Sequence, residues 1–125
     1  IDDLRQVAHN RGDQVPVHAR GDLIERLRQR FSYLFSGNAL YPAVLKAHPI
    51  DRDWTIGSAR FRFLDQPHGR ITSLGIRVDE GGRSLAYAID FVDLTEEMAQ
   101  LYAGVEVWVA DCLRRRPHPT HAHLD

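Results

Sequence analysis

The feature that most constrains this chain is a pair of strand-like runs, residues 71–78 and 84–91, separated by Asp79-Glu80-Gly81-Gly82. Glycine accepts the positive φ that tight hairpin turns require, so the second run is expected to pair back on the first. A sheet is therefore the starting point, and the rest of the chain has to supply what packs on it. Ile1, Leu4, Val7 and Ala8 recur at helical spacing. Asp2 and Asp3 suit the N-terminal end of that helix, and Arg11-Gly12-Asp13 ends it. Residues 15–19 read as a short extended segment. Gly21-Asp22 offers an N-cap to one helix carrying Leu23, Ile24, Leu27, Phe31, Leu34 and Phe35, stopped by Ser36-Gly37-Asn38.

After Pro42 the pattern changes. Residues 43–50 read as a strand, Trp54-Thr55-Ile56-Gly57 as a turn, and Phe61, Phe63 and Leu64 as a strand entering Asp65-Gln66-Pro67-His68-Gly69. Residues 95–102 form a short helix capped by Asp93 or Thr95. The nearly continuous apolar run at residues 105–110 suggests a strand deep in a sheet. This order of elements predicts a layered α/β fold. At 125 residues the chain has the length of a single domain, residues 1–125.

Composition narrows the function classes. Hydrophobic residues at 43% and charged residues at 26% place the chain among folded globular proteins. A net charge of −1 gives no global attraction to nucleic acid or to an acidic membrane. Cys112 stands alone, so no internal disulfide can form, and a reducing, cytoplasmic compartment is expected. No apolar run approaches the length of a membrane span. The chain opens at Ile1 without an initiator Met and closes on His121-Ala122-His123-Leu124-Asp125, which suggests a portion of a longer protein.

The seven histidines are the informative residues. His9, His18 and His48 read most simply as ordinary polar histidines. His68 sits in a Pro-His-Gly turn after a strand, where α/β proteins display functional side chains. Asp90 ends the apolar run Tyr87-Ala88-Ile89, where burial of a carboxylate requires a partner or a metal. Imidazole nitrogen and carboxylate oxygen together suit zinc, manganese or iron. The plainer alternative is a turn histidine and a helix-capping aspartate, and spacing alone favours it. His118, His121 and His123 follow Arg114-Arg115-Arg116. They suit chemistry at a phosphate in a positive field, or equally a solvated loop or tail.

Three segments are together similar to the central part of metallo-β-lactamase-fold hydrolases: Gln66-Pro67-His68-Gly69, Thr72-Ser73-Leu74-Gly75-Ile76-Arg77 and Ala86-Tyr87-Ala88-Ile89-Asp90. The segment from Arg116 to Leu124 resembles a following loop in the phosphodiesterase-like branch, and Ile1-Asp2-Asp3-Leu4 resembles the helix after the family's His-x-His-x-Asp-His motif. The resemblance implies part of a four-layer αββα sandwich. It makes His68 and Asp90 metal ligands, with Asp90 bridging two divalent ions, zinc or manganese. It makes His121 the general acid, with His118 and His123 as weaker matches. The implied activity is hydrolysis of a phosphodiester or related ester by a metal-activated hydroxide. The implied partner is a small-molecule substrate rather than nucleic acid or membrane, and a homodimer is compatible. No His-x-His-x-Asp-His stands in these residues, and the last ligand histidine of the family is missing as well. By itself the chain is therefore expected to bind metal poorly and not to turn over. The rival reading is a non-catalytic α/β binding or interaction module.

Overall fold

The computed structural model describes residues 1–111 and divides the chain into two compact units, Ile1–Asp51 and Arg52–Asp125. The first contains α1 (Leu4–Arg11), β1 (Val15–Ala19), α2 (Gly21–Arg30), α3 (Ser32–Ser36) and β2 (Leu45–Pro49). β1 and β2 are parallel, in register from Val15 opposite Leu45 to Ala19 opposite Pro49. Parallel neighbours need a crossover connection, which α2 and α3 provide. Leu34, Val44 and Leu45 form the buried centre, with Leu4, Ala8, Val15, Val17, Phe31 and Phe35 packed around them. α1 ends where Gly12 turns left-handed at φ 68°. The single long helix expected over residues 23–35 is two helices. Phe31 leaves helical geometry at φ −127° and ψ 40°, its N–H still bonded to the Leu27 carbonyl. Its own carbonyl accepts from Leu34 N–H, which restarts the chain as α3 and sends Leu34 to full burial.

The second unit is a five-stranded sheet of β3 (Asp53–Ile56), β4 (Ala59–His68), β5 (Ile71–Glu80), β6 (Arg83–Ala88) and β7 (Val107–Ala110), in that order, with α4 (Glu96–Tyr102) between β6 and β7. Trp54-Thr55-Ile56 is strand, not turn: it pairs antiparallel with β4, and the turn falls after it at Gly57. β5 and β6 pair through Gly81 and Gly82, whose φ of 58° and 77° are the two positive angles of a type I′ hairpin. β4 and β5 pair around Gly69 and Arg70, with φ 64° at Gly69.

Thr95 caps α4, its hydroxyl accepting from Met98 N–H at 3.2 Å. The helix packs on one sheet face, where Ala86, Ala88, Phe91, Met98 and Tyr102 are buried. Ala86 and Ala88 are alternate residues and so share that face, and their small side chains let the helix lie close. Among the described residues β7 runs parallel to β6 at the edge of this sheet, not deep within it. Val107, Trp108 and Val109 remain 40–47% exposed despite their apolar run. Among the described residues no helix is long and apolar enough to cross a membrane.

Candidate metal centre

β4, β5 and β6 form a meander, so β4 and β6 both run antiparallel to β5 and parallel to each other. Their C-terminal ends therefore lie at one end of the sheet. β7, parallel to β6, ends there too. His68 is the last residue of β4, Asp90 stands two residues beyond β6, and Asp111 follows β7 directly. The intervening β5 is what makes β4 and β6 end on the same side, so that His68 and Asp90 both stand at C-terminal strand ends there.

Asp90 is exposed, not buried as its apolar approach suggested. The strand stops at Ala88, and the backbone turns at Asp90 with φ 55°, the one non-glycine positive φ among the described residues. That left-handed conformation costs an L-residue of order 1 kcal/mol, with aspartate among the residues that tolerate it. Asp90 N–H donates to Asp111 Oδ1 at 3.2 Å. His68 is half-buried.

A buried polar cluster underlies this end. Gln66 is fully buried, two residues before His68 on the same face of β4. Its Nε2 donates to Ser73 Oγ and to the Ile89 carbonyl, each at 3.0 Å. Ser73, opposite Gln66 in the ladder, donates to the same carbonyl at 3.2 Å. The Gln66 Oε1 accepts from Tyr102 O–H at 2.9 Å. Burial pushes the Tyr102 phenol up to about 12, so it stays protonated and able to donate. Gly75 makes room, since a Cβ there would lie 1.8 Å from the Tyr102 hydroxyl and 2.6 Å from Gln66 Oε1. Beyond Asp90, Val92 N–H returns to the Pro67 carbonyl at 2.9 Å. Gln66, Ser73, Tyr102 and Asp111 were not singled out from sequence. Signals existed for two of them: Gln66 is polar on a core-facing stretch, and Asp111 ends an apolar strand as Asp90 does.

In kind, imidazole and carboxylate donors suit a divalent ion. In number they fall short. Among the described residues no three His, Cys, Asp or Glu side chains group in a way that could hold a metal. His118, His121 and His123 and the Arg114–Arg116 run lie outside the described residues.

The family described as beta-lactamase superfamily domain matches residues 1–125. The chain belongs to the beta-lactamase superfamily. Solved structures agree with that membership. A crystal structure of a new diphosphatase from the PhnP family has 27% identity and a TM-score of 0.79 over 98% of this chain and 45% of its own. The metallo-beta-lactamase fold protein YhfI from Bacillus subtilis has 16% identity and a TM-score of 0.70, covering 97% of this chain and 46% of its own. Zn(2+)-bound PqqB from Methylobacterium extorquens has 17% identity and a TM-score of 0.65, covering 90% and 37%. This superfamily chain is thus α/β with a metallo-β-lactamase fold, and it spans less than half the length of each of these structures. No curated protein matches its sequence.

Proposed function

We propose that the protein containing this chain is a metal-dependent hydrolase acting on a phosphodiester or a related phosphate ester. The observation that carries the reading is Asp90: a carboxylate held in a left-handed turn at the sheet end where β4 delivers His68. Backbone strain of this kind collects at functional sites, where the surrounding structure holds it in place. Superfamily membership and the similarity to a diphosphatase support the same reading. His68 and Asp90 contribute part of a ligand set for two divalent ions, zinc or manganese. When bound, such ions supply Lewis acidity toward a phosphoryl oxygen and a nucleophile at neutral pH. Asp90 is exposed in its turn, and His68 is held as the last residue of β4, opposite Ile71. His121 serves as the proton donor to the leaving group. The near-neutral charge favours a small substrate over a nucleic acid, and the lone Cys112 fits a cytoplasmic location.

The test uses the full-length protein, with metal content and turnover of an activated phosphodiester measured on the same samples. His121→Ala should lower turnover roughly a hundred- to ten-thousand-fold with metal content kept, as for loss of a general acid. Asp90→Ala should lose metal and turnover together. Loss of metal from His121→Ala alone would reverse the two roles. Two variants indistinguishable from wild type would leave a non-catalytic binding module as the better description.

A further inference from the structure

We propose that Gln66, Ser73 and Tyr102 form a clamp that positions Asp90 by gripping the carbonyl of the residue before it. This rests on the reading of Asp90 as a metal ligand. The peptide that joins Ile89 to Asp90 is held from both sides. Its carbonyl accepts from Gln66 Nε2 at 3.0 Å and Ser73 Oγ at 3.2 Å, while its N–H donates to Asp111 at 3.2 Å. A peptide unit is planar, so fixing both its ends fixes the plane from which the Asp90 side chain departs. Two residues further on, the Val92–Pro67 bond ties the chain to β4 again, beside His68. The clamp therefore sets the separation of His68 and Asp90 and holds the positive φ at Asp90 against relaxation.

The hydrogen-bond directions form one consistent chain. Tyr102 donates to Gln66 Oε1, which orients the amide so that both N–H groups of Nε2 face Ser73 and Ile89. Ser73 accepts one of them and passes its own proton to the Ile89 carbonyl. Every member is tied to an element of the sheet or to α4, and Gln66 is completely shielded from water. A buried network of this sort is costly if half satisfied and rigid when complete. A role limited to holding the sheet together would be served as well by an apolar residue at position 66. The placement of its amide against the peptide of Asp90 is what an apolar residue cannot supply.

Two readouts on the full-length protein test the clamp. One is zinc affinity by competition with a chromophoric chelator; the other is hydrogen exchange at the Asp90 and Val92 amides without metal. Ser73→Ala and Gln66→Met should weaken zinc binding about 10- to 100-fold, the range seen when partners behind a ligand are removed. They should also speed exchange at both amides at least tenfold, while Ser73→Thr restores both. Met98→Leu, a change in the same core away from the network, controls for general loss of stability and should leave both readouts as in wild type. Exchange at Asp90 and Val92 that stays at the wild-type rate in Ser73→Ala and Gln66→Met overturns the clamp. Faster exchange with zinc affinity unchanged, or changed equally by Met98→Leu, overturns its positioning role. If Asp90→Asn leaves zinc affinity intact, the metal reading fails, and the positioning role fails with it. The exchange rates still report separately whether the clamp holds the turn.

Discussion

The two ends of the five-stranded sheet solve the same backbone problem differently. At the end closed by the β5–β6 hairpin, the chain reverses through Gly81 and Gly82, both at positive φ with open space where a Cβ would project. At the opposite end, one reversal uses Gly69, but the turn after β6 places Asp90 at φ 55°. The first end needs only a turn, and glycine adopts that geometry without steric penalty. The second keeps Asp90 where glycine would fit better, and holds the peptide before it: Gln66 and Ser73 donate to the Ile89 carbonyl, and Asp90 N–H donates to Asp111. A strained residue retained under such support points to a side chain that is needed there, whereas an unstrained glycine points to geometry alone.

The contrast breaks most severely at Gly75. Its backbone is ordinary, so the need for glycine there is purely steric. Gly75→Ala drives a methyl group into the Tyr102 hydroxyl and the Gln66 amide, and should cost about 3 kcal/mol or more in a urea unfolding experiment. Retention of wild-type stability would mean that the polar cluster is looser than its distances indicate.

Alkaline pH should also separate the two ends. The folded-state value of Tyr102 is raised from 10.0 to about 12. A raised value contributes stability that is fully present below the unfolded value and disappears as pH rises through the folded one. Unfolding free energy should therefore fall between pH 10 and 12, and Tyr102→Phe should remove that component of the fall. Hydrogen exchange in this range should quicken first at residues 89–92 and later at the Gly81-Gly82 hairpin. Simultaneous loosening of both would contradict a local role for the phenol.

Gly82→Ala probes the plain end. At φ 77° alanine is strained, and a loss of about 1 kcal/mol is expected, with zinc affinity untouched. A change in zinc binding here would show that the two ends are coupled.

Much of the architecture was readable from local pattern. The Gly81-Gly82 hairpin, the end of α1 at Gly12 and the Thr95 cap of α4 depend on residues adjacent in sequence, and their chemistry identifies them. Features set by distant partners were not readable. Trp54-Thr55-Ile56 becomes a strand because β4 is there to pair with it. The apolar run of β7 suggested a central strand, but hydrophobicity does not report position within a sheet, and among the described residues β7 lies at the edge. Phe31 fits a helical stripe perfectly well in sequence, yet the chain breaks there. At the candidate site, the placement of His68 and Asp90 at strand ends was legible, although His68 closes β4 as its last paired residue and does not lie in the turn after it. The support behind them was not, because Gln66, Ser73 and Tyr102 meet only when β4, β5 and α4 assemble. The left-handed turn at Asp90 was equally hidden, since nothing in Ala88-Ile89-Asp90-Phe91 demands it.

The most direct test is the substitution Asp90→Gly in the full-length protein, with zinc stoichiometry and thermal stability measured together. Glycine relieves the positive φ, so the midpoint of unfolding measured without metal should stay within a few degrees of wild type or rise, a change of about 1 kcal/mol at most. Bound zinc should fall well below the wild-type stoichiometry, because the carboxylate is gone. A variant equally stable that still binds zinc as wild type does would contradict the central claim, leaving Asp90 a turn residue and no part of a metal centre.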